Sequence, residues 1–414
     1  MKVFHLSYSD SNSGASIAAY RIHRALKKNG VNSFMLVDNS FLDDSSVKTI
    51  KKNLVRIIFR KFKRLTEFLL LKFLKTKNNE KHSISFYPSG IVDLINNSDV
   101  DVVHLHWIQR EFLSVKDIGK INKPIVWTFH DMWGICGCEH YTEEFRWKEG
   151  YFKNNRPSYE SGIDLNRWNW ERKKKFWKKP FQIVTASNWQ TNCVKESALM
   201  GQWPVSTIPN PLDLDFWKPL DKDTSRKKFN LPRDVFLILF GAGTEHRKGF
   251  ELLILSLKHL KKNSKSKSKK IELVIFGPHK NKILDNSLFP VHYLGDLDYS
   301  DSKLKTIYCA VDALVTPTRQ ESFGLTAAEA QACGTPVISF GVGGLLDIID
   351  HKQTGYLAKP FDVIDLSEGI LWVLSQNKNK KLSRRSRINA LSKFSEDKIS
   401  FSYMKIYNKS LPKT

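Results

Sequence analysis

The chain has 414 residues, 41% hydrophobic, 12% aromatic and 26% charged, with 66 Lys and Arg against 42 Asp and Glu for a formal charge of +24. That length is too great for one hydrophobic core and sets an expectation of two domains of roughly 200 residues each, while the apolar content and ordinary glycine and proline usage exclude a disordered or fibrous chain. The charge asks for an anionic counterpart: nucleic acid, an anionic membrane surface or an anionic substrate.

The chain opens with "MKVFHLSYSD", a strand-like run without the long apolar stretch and small-residue cleavage site of an export signal. Short β-branched or aromatic runs then alternate with helical periodicity: "VFHLS", "NSFMLV", "DVVHLH", "PIVWTFH" and "FQIVTAS" in the first half, "VFLILFG", "IELVIFG", "VHYLG", "ALVTP" and "PVISFG" in the second. Near-continuous apolar strands separated by helices predict parallel sheets covered on both faces, hence two α/β, Rossmann-like domains.

Two insertions interrupt this alternation. Residues 51–77 place Leu54, Ile57, Ile58, Phe62, Leu65, Leu69 and Phe73 on one helical face, with Lys51, Lys52, Arg56, Arg60, Lys63, Arg64 and Lys75 largely elsewhere. Such a basic amphipathic helix either lies in an anionic membrane interface or packs on the core with a lysine-rich solvated side. No window reaches the roughly 18 to 20 apolar residues of a spanning helix, and "FLLLKFL" is broken by Lys72. Residues 133–180 crowd Trp133, Trp147, Trp168, Trp170 and Trp177 among cations, which suits either sugar or base stacking or packing within a long loop. Cys136, Cys138 and His140 lie close in the same insertion, but a Cys-x-Cys with no second pair is a weak zinc signal. With Cys193, Cys309 and Cys333 the two cysteines make an odd, scattered set that favours a reducing, cytoplasmic location.

"STIPNPLDLDFWKPL" (206–220), with its prolines, reads as the linker. The resulting division is 1–208, 209–390 and a C-terminal helix within 391–414, with Ser395 as N-cap and Ile399, Tyr403, Ile406 and Tyr407 on the face expected to pack back across the cleft between domains. The lysine-rich "KKNSKSKSKK" (261–270) reads as a solvated connector.

Chemistry concentrates in "TPTRQESFGLTAAEAQACGTPVISF" (316–340). A strand exits into "TRQES", and a helix starts at Phe323, Gly324 and Leu325 without a capping side chain, an arrangement whose N–H groups suit a phosphate. Glu321 projects from the loop tip and Glu329 faces the same crevice, able to accept from hydroxyls. Both carboxylates also fit the bland reading of acids favoured near a helix start. Phosphate flanked by polyols describes a nucleotide-sugar. "VVHLHW" and "VWTFHDMW" end neighbouring strands, so His104, His106 and His130 are expected to converge on the cleft, without carboxylate or Cys spacing for zinc. "GVGGLLDII" offers Gly341, Gly343 and Gly344 as a further backbone approach to ligand.

These motifs resemble the family-4 retaining glycosyltransferases of GT-B architecture, in which two Rossmann-like domains face each other across a cleft. The similarity spans essentially the whole chain, and the E-x7-E element is matched by Glu321 and Glu329. The resemblance implies that Glu321 contacts the donor sugar near its anomeric centre, that Glu329 binds the ribose, and that Lys248 in "LFGAGTEHRKGFELLILSL", after Gly241, neutralises the donor diphosphate. Many relatives carry an arginine where Ala242 stands here; Arg247 either replaces its charge or simply faces solvent. His130 matches the histidine lining the donor-sugar and acceptor site, and Gly14, Ala15 and Ser16 match the acceptor-side loop. "IPNPLD" resembles the family's linker, with Pro211 in place of glycine.

The enzyme expected from this resemblance is a metal-independent transferase without cofactor, its partners a UDP- or GDP-sugar donor and a saccharide or lipid-linked saccharide acceptor. The expected role is bacterial surface polysaccharide synthesis (O-antigen, capsule or exopolysaccharide). The expected location is cytoplasmic, with the inner face of the cytoplasmic membrane as a peripheral site. A catalytically silent nucleotide-sugar or polysaccharide binder is the alternative. Nucleic acid is not expected as a partner, since no recognised module is present and the cations cluster in the insertions.

Overall fold

The computed structural model describes residues 1–50, 54–241, 245–263, 270–277, 288–297, 302–377 and 380–412. Ala242, residues 51–53 of the amphipathic insertion and most of the lysine-rich connector lie outside them. The chain forms two compact units, Met1–Pro211 with Asp397–Thr414, and Leu212–Glu396.

The N-terminal unit is built on a seven-stranded parallel sheet: β1 (Lys2–Ser9), β2 (Asn32–Asn39), β3 (Val47–Thr49), β4 (Val102–Leu105), β5 (Ile125–Phe129), β6 (Gln182–Thr185) and β7 (Val205–Thr207), in spatial order β3-β2-β1-β4-β5-β6-β7. Val3, Leu6, Val102, Val103, Val126 and Ile183 are fully buried, as strands covered on both faces require. Helix α1 (Gly14–Lys28) follows β1, with Ser13 as its N-cap accepting from Ser16 N at 3.3 Å.

Helix α2 (Leu54–Leu71) is set down with its polar side inward. Lys63 and Glu67 are buried at 5% and 8% exposure, while Leu54, Ile58, Phe62, Leu65 and Phe68 are 50–73% exposed. The reading of α2 as a core-packed helix with a solvated lysine side fails over residues 54–68, where the buried side chains among the described residues are Lys63 and Glu67, and only Leu70 and Leu71 at its end pack on an apolar cluster. Glu67 accepts from Ile84 N at 2.7 Å, Lys63 donates to Pro88 O, and Arg60 and Arg64 pair with Asp38 at 3.0 and 2.7 Å. Among the described residues no helix is long and apolar enough to cross a membrane.

The tryptophan-rich insertion packs on itself. Trp133, Trp147, Trp170 and Trp177 join the core of the unit, and of the five only Trp168 is 40% exposed. Helix α3 (Leu165–Phe176) carries Lys173, fully buried, which donates to the carbonyls of Trp133, Cys136 and Gly137 and lies 3.7 Å from the Trp133 ring centre. Three acceptors match the three protons of an ammonium, although burial pulls this lysine down to about 7. Cys136 and Cys138 are buried, which pushes their thiols well up, and His140 is bonded to Asp131 Oδ2 (2.6 Å) and Ser83 Oγ (2.9 Å). The trio thus lies in the core, with both His140 nitrogens hydrogen-bonded.

The C-terminal unit has a six-stranded parallel sheet: β8 (Phe236–Gly241), β9 (Ile271–Phe276), β10 (Val291–Tyr293), β11 (Ala313–Thr316), β12 (Val337–Phe340) and β13 (Gly355–Ala358), ordered β10-β9-β8-β11-β12-β13. Helix α4 (Phe250–Asn263) follows β8, and α5 (Leu325–Ala332) follows β11. Edge strands β3, β7 and β13 were not read in the sequence; they are three or four residues long, and β13 starts at a glycine whose added Cβ would stand 1.9 Å from Val337 O. Residues 391–393, expected in the last helix, instead end the helix α6 (Lys381–Lys393) of this unit. The last helix, α7 (Glu396–Ser410), buries Ile399, Tyr403, Ile406 and Tyr407 against the N-terminal sheet.

Candidate functional site

In the C-terminal unit the loop after β8 and the loop after β11 are locked together. Gly249, in the left-handed region at φ +66°, closes a short turn over His246–Lys248, and an added Cβ there would meet Pro317 O at 1.9 Å. The glycine after the lysine is therefore a packing requirement. Arg319 N and Thr318 Oγ1 donate to Arg247 O at 2.7 and 2.8 Å, and Arg247 Nη1 donates to Gln320 O at 2.8 Å.

The result is a cation pair on one carboxylate. Lys248 Nζ lies 2.8 Å and Arg247 Nη1 3.5 Å from Glu321 Oε2, with side chains 25%, 15% and 17% exposed. Burial acts to raise the Glu321 carboxyl, but Lys248 and then Arg247 outweigh it and hold it below the ordinary value. Burial lowers the Lys248 ammonium, opposed by Glu321. Arg247 is thus engaged with Glu321 rather than simply facing solvent.

Beside this group α5 begins at Gly324 (φ +105°) with no side-chain cap. Phe323 is 4% exposed and stacks edge-on against Phe394 at 5.7 Å. Gly343 and Gly344 are not an open backbone approach to ligand: added Cβ atoms would meet Glu321 O at 2.2 Å and Ser322 O at 2.6 Å, so they let one loop pass over another. Gly241 likewise answers to packing, its missing Cβ lying 1.9 Å from the Phe276 ring. Glu329, on the second turn of α5, is 1% exposed and accepts from the Tyr308 hydroxyl at 3.2 Å. A hydroxyl does reach this carboxylate, but it is the protein's own.

In the N-terminal unit the start of α1 gathers hydroxyls. Ser16 Oγ lies 2.8 Å from Ser9 Oγ and 2.9 Å from Ser13 Oγ, with Gly14 exposed and Ala15 partly exposed beside them. Further along the sheet, His130 Nε2 is 3.2 Å from His106 Nδ1, whose Nε2 is 2.9 Å from His5 Nδ1. Each neutral imidazole carries one N–H, so the protons along this chain all point one way. Burial lowers His130 to about 4, against the pull of Asp131, and lowers His5, His104 and His106 well below the ordinary imidazole value.

His104 does not join this chain by hydrogen bonds. It is fully buried, bonded to Tyr407 Oη and Thr128 Oγ1, each at 2.8 Å, and so seats the last helix. His5, His104 and His106 are also the one group among the described residues able to gather on a metal ion, their ligand atoms within 4.8 Å of one another. Both His104 nitrogens are already hydrogen-bonded. His5 was not read in the sequence; the structure pairs it with His104 across β1 and β4.

Two sequence profiles match the chain, one described as Glycosyltransferase Family 4 over residues 12–216 and one as Glycosyl transferases group 1 over residues 221–391. The chain belongs to the group 1, family 4 glycosyltransferases. A curated relative, the D-inositol 3-phosphate glycosyltransferase 1 of Catenulispora acidiphila, is 28% identical over 204 residues, 45% of this chain and 49% of its own length. The chain therefore spans about half the length of the curated relatives it matches. Among solved structures, a glycosyltransferase from Rickettsia africae superposes with a TM-score of 0.69 at 17% identity, covering 100% of this chain and 99% of that one. The Anabaena HepE protein, solved with UDP and glucose, gives 0.65 at 15% identity, covering 99% and 100%. At these identities the likeness shows the fold: two α/β, Rossmann-like domains, as in GT-B enzymes.

Proposed function

We propose that this glycosyltransferase moves a sugar, with retention at the anomeric carbon, from a UDP- or GDP-sugar to a saccharide acceptor. The observation that carries the reading is the Lys248–Arg247–Glu321 group beside the uncapped start of α5. In the reaction the bond between the anomeric carbon and the diphosphate oxygen breaks, and one forms to an acceptor hydroxyl on the same face. The hydroxyl proton passes to the departing phosphate.

Negative charge grows on the leaving oxygens. Lys248 and Arg247 meet it from a site already built, the kind of stabilisation whose removal costs about 10²- to 10³-fold in kcat. Before donor binds, both cations rest on Glu321, so the diphosphate draws them from a carboxylate that then faces the sugar. Glu329, which accepts from Tyr308, takes the ribose in this reading. These cations and the helix start carry the charge in this reading, and a metal chelator is expected to leave the rate unchanged.

His130 serves the sugar as a neutral imidazole, and Gly14, Ala15 and Ser16 take the acceptor. The outward apolar face of α2 supports a peripheral membrane location and a lipid-linked acceptor, as in bacterial surface polysaccharide synthesis. A screen of UDP-, GDP- and ADP-sugars by thermal shift tests the donor: a sugar nucleotide at 100 times its Kd stabilises by about 2.7 kcal/mol. Turnover of that donor by a Glu321→Ala variant at the parent rate would overturn the assignment of Glu321, and donor binding by the parent without any turnover would favour a silent sugar-nucleotide binder.

A further inference from the structure

Three neighbouring strands of the N-terminal sheet, β1, β4 and β5, bring His5, His106 and His130 into one row that runs from the core to the surface. His5 and His106 are 0% and 1% exposed, and His130, just past the end of β5, is partly exposed. His5 Nδ1 lies 2.9 Å from His106 Nε2, and His106 Nδ1 lies 3.2 Å from His130 Nε2. One ring nitrogen is left over at each end, and the two ends differ. His130 uses only Nε2 in the row, on a ring that reaches the surface. His5 Nε2 is buried without a hydrogen-bond partner among the described residues. The rings around it are engaged elsewhere: His23 with Ser33 Oγ at 2.7 Å and Ser46 Oγ at 3.0 Å, His104 with Tyr407 and Thr128.

That orphan nitrogen sets the direction of the row. A buried N–H without an acceptor is rarer in folded proteins than a buried acceptor without a donor. The His5 proton therefore sits on Nδ1 and is donated to His106 Nε2. His106 in turn carries its proton on Nδ1 and donates it to His130 Nε2, which leaves the His130 proton on Nδ1. Burial keeps all three rings neutral near pH 7, the condition for one proton on each.

We propose that His106, backed by His5, is a positioning residue that fixes His130 as the Nδ1–H tautomer, so that His130 meets its substrate as a hydrogen-bond donor and not as a base. This rests on the transferase reading above and specifies what His130 does in it. Its N–H orients an oxygen of the sugar or the acceptor. The acceptor hydroxyl meets no bare nitrogen on His130, so its proton goes to the departing phosphate as the new glycosidic bond forms.

The proton is read directly by nitrogen-15 NMR of the full chain with labelled histidine, without ligand, at about pH 7.5, above the ordinary imidazole value. A His130→Gln variant identifies the His130 signals. The parent is expected to show His130 protonated at Nδ1 and bare at Nε2; the reverse overturns the proposal. His106→Asn and His106→Asp put side chains of nearly equal volume at one position, but the amide can donate to His130 Nε2 whereas an ionised carboxylate only accepts. The amide is expected to keep the parent signature and the carboxylate to exchange the two His130 signals. No difference between these variants overturns the role of His106. Turnover of the UDP- or GDP-sugar that the parent uses is expected to fall about 10-fold further in His106→Asp than in His106→Asn. Equal turnover by two variants whose His130 signatures differ overturns the positioning role. Absence of turnover in the parent sinks the transferase reading, while the His130 signature still decides the tautomer.

Discussion

Helices α2 and α7 are both amphipathic in sequence and are used in opposite ways. The last helix buries its apolar side: Ile399, Tyr403, Ile406 and Tyr407 pack on the sheet, and the Tyr407 hydroxyl is bonded to His104. Helix α2 buries Lys63 and Glu67, pairs Arg60 and Arg64 with Asp38, and leaves Leu54, Ile58, Phe62, Leu65 and Phe68 outside, with Leu70 and Leu71 at its end partly buried on the core. Periodicity says which residues share a face. Which face turns inward depends on what the rest of the fold offers, and next to α2 it offers carboxylates, carbonyls and amides.

The difference is sharpest in what each helix loses on truncation. Tyr407→Ala is expected to destabilise the N-terminal unit by about 3–5 kcal/mol, read from the denaturant midpoint, because it opens a cavity and strips His104 of a partner. Glu67→Ala is expected to cost about 1–3 kcal/mol, since the amide of Ile84 is left buried without an acceptor. A Phe62→Ser/Phe68→Ser pair is expected to stay within about 0.5 kcal/mol of the parent for each site while reducing sedimentation with anionic vesicles. A large loss of stability from that pair would mean that α2 is an ordinary packed helix.

The two seats also titrate in opposite directions. His130, at about 4, and the deeper His104 and His106 are held neutral by burial, so between pH 6.5 and about 4 the unfolded chain binds more protons than the folded one. Stability around α7 is expected to fall on acidification through that window. Burial, and then the Glu67 carboxylate, push Glu111 up to about 7, so between pH 4.5 and about 7 the folded chain binds more protons and stability around α2 falls as pH rises. Hydrogen exchange across pH, corrected for intrinsic rates, resolves the two helices. The same sign of change in both would break the contrast.

Much of the fold was legible because buried parallel strands leave near-continuous apolar runs, and every strand segment read from such a run is a strand. Edge strands of three or four residues leave too short a trace. At the candidate site, the E-x7-E spacing and the Lys-Gly pair located the loops that the structure brings together at Glu321 and Lys248. Three features were not readable. Glu329 has the spacing of a ligand residue, and only packing shows that it also accepts from Tyr308. Gly343 and Gly344 look like ligand-facing glycines until the Glu321 and Ser322 carbonyls are placed over them. The imidazole chain from His130 to His5 depends on strand register, which single-strand patterns do not set.

If Lys248, resting on Glu321, takes up a nucleoside diphosphate, then removing its charge must weaken that binding. Calorimetric titration of UDP and GDP onto the parent and a Lys248→Met variant reads this without any need for the acceptor. Saturable binding of one nucleotide by the parent is expected, with a loss of about 10-fold or more in the variant, a difference of about 1.4 kcal/mol. Binding of equal strength by both proteins, or no binding of either nucleotide by the parent, would contradict the assignment of Lys248 and the donor site with it.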